Sequence, residues 1–294
     1  MRQRSWWVAA TMASFALAAV AVPLLARAPA AGDDATSVVT PALPEQLLAQ
    51  LLLLSDDACE VLYVPGTLDR AAHVELWLRS LAVGAARRTR HPARVVGVVL
   101  GRDEWQQARL PCPYGVPCRA GVRVVALPAA GDSGTVTLWQ QLIGTLPQLG
   151  GTPLMGTADE AASLAPADAY ASLVASRDLV TAAGFAGDEP WIVDVLAHAV
   201  SLDGARLARS GREADLDGFW GGVRRRYGPQ GIAPADALAA ELRQQAKLYF
   251  AAETLLGAEG KVPVRALHKL QDKGGGRLRA ADLRAAWPNA LGGL

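Results

Sequence analysis

The amino-acid sequence predicts an α+β protein: a small α/β layer of strand, helix, strand and strand, followed by a mainly helical C-terminal half. Two observations carry this. Three β-rich runs, Glu60-Val-Leu-Tyr-Val64, Arg94-Val-Val-Gly-Val-Val-Leu100 and Val122-Arg-Val-Val-Ala-Leu127, alternate with helical periodicity through the first half. From Asp159 onward, apolar residues recur at helical spacing between Gly and Pro punctuation. The 294 residues suffice for one large domain or two modest ones. The pattern divides into a leader over 1–30, a linker over 31–45, an α/β subdomain over 46–157 and a helical subdomain over 158–294.

Taken in order, the chain opens with a basic Met1-Arg-Gln-Arg4 and an uncharged, largely apolar run from Ser5 to Ala26. Arg27 and Ala28-Pro-Ala30 follow, the last in the A-x-A form expected for cleavage before Ala31. This predicts export, to the periplasm or outside the cell. An uncleaved membrane anchor is the alternative, because the run approaches the roughly 20 residues that span a bilayer; Pro23 and the A-x-A favour cleavage. Removal takes Arg2, Arg4 and Arg27 with it, so the formal charge of +1 becomes −2. No clustered basic face points to nucleic acid. The expected partners are therefore a protein or peptide, with membrane contact only through an uncleaved leader.

Residues 31–45 read as a linker and Glu45–Leu54 as a short leucine-rich helix. The first strand, Glu60–Val64, stops at Pro65-Gly66, and Thr67 is placed to cap the helix that follows. That helix is expected to turn Ala72, Leu76, Leu78, Leu81 and Val83 inward. Arg70, Glu75, Arg79 and Arg87 then face water, with His73 a partly exposed helix residue. The run Arg94–Leu100 has the texture of a strand buried on both faces, and a right-handed crossover is the default between it and the first strand. A short helix at Arg102–Ala108, a loop over 111–121 and a third strand complete the layer. Gly131-Asp-Ser-Gly134 lacks the lysine and spacing of a phosphate loop and reads as a turn. Gly134–Ile143 is a strand end or helix, and Pro147–Gly156 is loop.

Within the 111–121 loop, Cys112-Pro-Tyr-Gly-Val-Pro-Cys118 is spaced to close a small disulfide ring, consistent with export. Cys59 is left over as a small buried apolar residue. The cysteine spacing does not suit zinc, and no histidine follows at short range.

The helical half starts near Ser163-Leu-Ala-Pro166, with the proline in a first turn. It buries Tyr170, Leu173, Val174 and Val180 and breaks at Gly184. A second helix begins at Asp188-Glu-Pro190 and runs to about Arg209. A third segment spans Phe219-Trp220 and Arg224-Arg-Arg-Tyr227. A fourth covers Pro234–Leu256, and short helices at Pro263–Gln271 and Ala280–Trp287 close the chain. The second helix holds the most chemistry: Asp194 and His198 lie one turn apart, so the carboxylate is placed to bond the imidazole and raise its pKa. A dyad of this kind needs a nucleophile. Ser172, Ser176 and Ser201 are near in sequence, but none sits in a G-x-S-x-G elbow. A structural pair at the core edge is the simpler reading, with Tyr170 on the facing helix as a third candidate member.

The stretch Pro190-Trp-Ile-Val-Asp-Val-Leu-Ala197, on a helix after an α/β layer, resembles the thermolysin-like zinc metallopeptidases, the gluzincins. Their third zinc ligand is a glutamate in a W-L-x-E-G-L-A-like pattern. Trp191, Ile192, Leu196 and Ala197 match its apolar positions; Asp194 stands for the glutamate and Val195 for the glycine. The resemblance covers residues 60–256 and implies two paired active-site helices. It also implies H-E-x-x-H about 20 residues before Asp194, where two histidines bind zinc and the glutamate serves as base. That place holds Tyr170-Ala-Ser-Leu-Val174, and the four histidines, 73, 91, 198 and 268, are nowhere near that spacing. What the resemblance implies is thus a degenerate fold without zinc, cofactor or peptidase activity, used for binding or as a scaffold. A hydrolase with a non-standard site at Asp194 and His198 is the alternative.

Overall fold

A computed structural model describes residues 41–89, 93–144, 158–207, 212–257 and 262–294. The leader, most of the linker and the loop expected at Pro147–Gly156 lie outside the described residues. The fold is α+β, as the sequence predicts: one five-stranded mixed sheet and a helical C-terminal half. In chain order the sheet half contains α1 (Glu45–Leu48), β1 (Leu52–Ser55), β2 (Cys59–Tyr63), α2 (Leu68–Thr89), β3 (Val95–Leu100), α3 (Arg102–Gln107), β4 (Cys118–Gly121), β5 (Val124–Pro128) and α4 (Ser133–Ile143). The strand order is β1-β2-β3-β5-β4. The middle three strands are parallel, and β1 and β4 run antiparallel at the two edges.

Side chains alternate across the three parallel strands, and both faces are covered. Val61, Tyr63, Val95, Val99, Val125 and Leu127 face α2 and the helical half. Leu62, Val64, Val96, Val98, Leu100 and Ala126 face the other way, against Leu47 of α1 and Trp105 of α3. Every residue of β3 is buried, which is why its sequence is continuously apolar. The α2 face belongs to one core that continues into the helices of the second half.

Several local expectations are corrected. The leucine-rich stretch is helical only over Glu45–Leu48; Leu52–Ser55 pairs with β2 instead. Leucine favours helix, but an open ladder on β2 satisfies this backbone better, a tertiary override of propensity. The 111–121 loop contains β4, whose pairing with β5 carries a register shift between Arg119 and Gly121. Ala42 at the end of the linker donates to Ala120 O at 2.7 Å. Along α2, Leu76 is 53% exposed and the inward stripe is Ala71, Val74, Trp77, Leu78, Leu81 and Ala85. Arg70, expected in water, is tucked against the helical half, its side chain only 9% exposed. The turn at Gly131–Gly134 is a helix start, where Asp132 accepts from Thr135 N at 2.7 Å and caps α4.

The helical half comprises α5 (Ala158–Ala182), α6 (Pro190–Leu207), α7 (Arg212–Tyr227), α8 (Ala237–Leu256), α9 (Val264–Lys273), α10 (Ala280–Ala286) and α11 (Pro288–Leu291). Pro166 lies inside α5, eight residues past its start, rather than in a first turn. The helix ends where Gly184 adopts φ 82°. There Phe185 N donates to Val180 O at 3.2 Å and Gly184 N to Thr181 O at 3.0 Å, the paired bonds of a glycine-terminated C-cap. The chain then doubles back. Antiparallel packing of α5 on α6 is fixed by Arg177 against Asp194 at one end and Ser176 against Ser201 farther along. Helix α2 crosses α6 at two glycines: a Cβ on Gly204 would come within 2.7 Å of Leu81 Cδ2 and 3.1 Å of Leu81 Cα. The opposing glycine is Gly84, where an added Cβ meets Gly204 Cα at 3.4 Å.

Candidate functional site

Asp194 lies in the second turn of α6 because the preceding stretch is anchored from outside the helix. Asp188, read in the sequence as part of an acidic start to α6, accepts from Ala280 N at 2.9 Å and so serves the start of α10. Glu189 accepts from Trp191 Nε1 at 2.5 Å and pairs with Arg284. With the turn held in this way, the Asp194 carboxylate faces α5. It accepts from Arg177 Nε at 2.6 Å and from Gln245 Nε2 of α8 at 2.7 Å. Arg177 also reaches Glu241 on α8 at 3.4 Å. One carboxylate and one guanidinium thus tie three helices together.

The direct Asp194–His198 bond expected from the spacing is replaced by a bridge through Gln245, whose Oε1 lies 3.0 Å from His198 Nε2. The bridge also sets the tautomer. Since the Gln245 amide nitrogen must donate to the Asp194 carboxylate, its oxygen faces the imidazole, and His198 Nε2 carries the proton. His198 Nδ1 is buried with no partner among the described residues. The ring is fully enclosed, edge-on to Trp220 at 4.9 Å and to Tyr249 at 5.6 Å. The expected rise in pKa is overturned: burial drives His198 down to about 3, which outweighs the Gln245 hydrogen bond and the Asp194 charge.

Tyr170 joins the same cluster from α5. Its hydroxyl is pushed up, first by burial and then by the Glu241 carboxylate. Burial works against the Arg177 charge, yet Asp194 and then Glu241 more than offset it and hold the guanidinium firmly protonated. The serines supply no nucleophile. Ser172 donates to the carbonyls of Asp168 and Ala169, Ser201 donates to Ser176, and all three are buried. Chemically, the arrangement is an ion-paired clamp, one guanidinium between two carboxylates, beside a neutral imidazole. Its imidazole is enclosed, whereas the Glu241 carboxylate at its edge is partly exposed.

A second buried cluster is absent from the sequence reading. Asp168 of α5 accepts from both Nη atoms of Arg70, at 2.9 and 2.6 Å. It lies 3.2 Å from His73 Nε2 and 3.8 Å from Arg212 of α7. Arg212 Nη2 also donates to His73 Nδ1 at 3.1 Å, and its guanidinium lies 5.3 Å over the Trp77 ring. Arg70 Nε donates to Pro128 O at the end of β5, joining the sheet to the helical half. Burial alone would raise the Asp168 carboxyl, but the Arg70 charge and the hydrogen bonds from His73 and Arg70 prevail and hold it far below the usual carboxylate range. No spacing rule finds this site, because α2, α5 and α7 contribute from positions 70, 168 and 212. Arg177, Glu241 and Gln245 escape for the same reason.

The two cysteines of the loop, Cys112 and Cys118, form a disulfide. Cys59 is free and buried, its thiol pushed up to about 12 by desolvation and then by Glu75 and Asp56. Among the described residues, no three His, Cys, Asp or Glu side chains converge in a way that would hold a metal. No described helix is long and apolar enough to cross a membrane. Comparison with family models, with curated proteins and with solved structures returned no match. What the fold and the site define is therefore a class only: an α+β protein whose helical hairpin is closed by an arginine-centred ion network.

Proposed function

We propose that this chain is an exported envelope protein with a metallopeptidase-like fold that has lost its zinc chemistry and works as a non-enzymatic binding or scaffold module. One observation carries the reading. Asp194, standing where the family resemblance expects a zinc ligand, is paired with the Arg177 guanidinium projecting from the helix that would carry the other ligands. A fixed organic cation there neutralises the carboxylate without an open coordination position, which a catalytic metal requires. Tyr170 to Val174 supplies packing and a phenol in place of imidazoles. The close pairing of α5 and α6 is what a gluzincin-like hairpin needs. A disulfide in the sheet half agrees with an oxidising compartment. The alternative, a hydrolase at Asp194 and His198, needs an imidazole open to substrate, and His198 is fully enclosed.

Elemental analysis of the purified protein, cell fractionation and mass measurement of the mature N-terminus test this together. The expected result is a protein in the envelope fraction, beginning at Ala31, with zinc well below one equivalent and no peptide or ester hydrolysis. Stoichiometric zinc that disappears in Asp194→Ala would refute it, as would hydrolysis lost in His198→Ala.

A further inference from the structure

The basic triplet Arg224-Arg225-Arg226 ends α7, where cations complement the helix dipole. Arg224 has a structural role as well, its guanidinium lying 4.5 Å over the Phe250 ring. Arg226 lies 5.8 Å from the Tyr227 ring, a looser contact, and Arg225 has no ring or ion-pair partner among the described residues. Arg225 and Arg226 line a concavity of about 450 Å³ between the end of α4 and the turn that follows α7. Sites for small molecules fall in the range of roughly 300–1,000 Å³. Among the described residues neither guanidinium has a carboxylate partner, and the Arg226 Nε–H is buried without any acceptor. Buried donors of this kind are rare in folded proteins and call for an oxygen from elsewhere.

Among the described residues, the surroundings leave this space open. A Cβ on Gly222 would meet nothing nearer than Ile143 O at 3.7 Å and Arg225 Nη2 at 3.9 Å. Gly144, at φ 83°, takes a backbone conformation that favours glycine, and a Cβ there would lie 3.6 Å from Arg226 Nη1. The far wall is held by its own backbone: Ile232 N donates to Arg226 O at 2.8 Å and Gly231 N to Gly228 O at 2.9 Å. Gln230 adds a neutral amide, and Ile232, 54% exposed, adds apolar surface.

Charge decides the ligand class. Two guanidinium groups contribute two positive charges, whereas the helix C-terminus opposes them with only about half a negative charge. The remainder suits a dianion better than a single carboxylate. A phosphate monoester carries about −1.5 to −2 charges at pH 7 and offers three oxygens to planar N–H forks. We infer that this concavity binds the phosphate of a phosphomonoester, with the ester's carbon skeleton resting on Ile232. The phosphate belongs either to a soluble metabolite or to a lipid headgroup of the monoester type. The inference stands apart from the peptidase-like reading and neither needs nor supports it.

The test uses the full chain. Calorimetric titration with inorganic phosphate and with glycerol 3-phosphate examines the soluble source. Co-sedimentation with phosphatidylcholine vesicles, with and without phosphatidic acid, examines the lipid source. Saturable, salt-sensitive binding is expected, weakened about ten-fold or more in Arg225→Gln and in Arg226→Gln. Ile232→Asp, on an exposed turn that tolerates the change, places a carboxylate beside the site and should abolish binding with no loss of melting temperature. Arginine-dependent binding in the titration assigns a soluble ligand, and the same dependence only with phosphatidic acid assigns the headgroup. The inference is overturned if neither arm shows saturable binding, or if binding survives in the Arg225→Gln/Arg226→Gln double variant or in Ile232→Asp.

Discussion

Replacing Asp168 with asparagine tests the charge balance at the junction of sheet and helices. The carboxylate is only 6% exposed and holds Arg70 by two bonds, at 2.9 and 2.6 Å, with His73 and Arg212 close by. Asparagine has nearly the same shape but no charge, and it turns amide protons toward guanidinium protons. Arg70 and Arg212 are left buried, with Asp215 alone 4.0 Å from Arg212. Breaking a buried ion pair from one side costs roughly 3–5 kcal/mol, against a total stability of about 5–15 kcal/mol. At roughly 2–4 °C per kcal/mol for a chain somewhat smaller than this one, the melting temperature falls by about 10 °C.

The effect is also pH-dependent, with a definite sign. Because the folded pKa of Asp168 is depressed, its contribution is fully present above the unfolded carboxylate value of about 3.9. It is lost as pH falls from there toward the folded pKa, since the unfolded chain takes up a proton that the folded one refuses. Urea unfolding of wild type and Asp168→Asn should therefore show a constant gap from pH 5 to 7 that narrows below about pH 4. A gap under about 0.5 kcal/mol at pH 7 would refute the reasoning, because a surface substitution does as much. A gap that stays constant down to pH 2 would refute it equally.

Three further outcomes are expected. Arg177→Ala should cost about 2 kcal/mol, since the pair is only partly buried; a double-mutant cycle with Asp194→Ala should give a coupling of about 1 kcal/mol or more, and no coupling would mean that the clamp contributes nothing. His198 has a folded pKa depressed to about 3, so it withdraws stability as pH falls from the unfolded value near 6.5. His198→Gln should flatten the stability profile between those limits, and an unchanged profile would show that the ring is not buried neutral. Gly204→Val places a side chain against the Leu81 backbone and should lower stability by about 1–3 kcal/mol, read as a shift in the urea midpoint with the slope unchanged.

Much of the fold is legible in the sequence because its strongest signals are local. The run Val95–Leu100 is buried on both faces and is apolar throughout, so its place in the middle of the sheet follows from composition. Gly184 ends α5 as read, because a left-handed terminus favours glycine. The edge strands are not legible. Leu52–Ser55 and Cys118–Gly121 are four residues each, too short for periodicity, and both exist because a neighbour offers an unpaired ladder. The inward face of α2 is misjudged for a related reason. Leu76 looks like core, whereas Arg70 goes inside because Asp168, nearly a hundred residues away, awaits it.

By itself the sequence determined the α+β class, the three strands at the middle of the sheet, the helical hairpin broken at Gly184, and Cys112 with Cys118 as the candidate disulfide pair. Each depends on residues within one or two turns of one another, or on intrinsic backbone preference. Only the tertiary structure decided that Gln245 separates Asp194 from His198, that Arg177 bridges Asp194 and Glu241, and that Arg70, His73, Asp168 and Arg212 meet. Long charged side chains take their partners from whichever elements packing brings within a few ångströms. In a buried, low-dielectric setting those partners decide whether an imidazole or a carboxylate is a reactive group or a structural one.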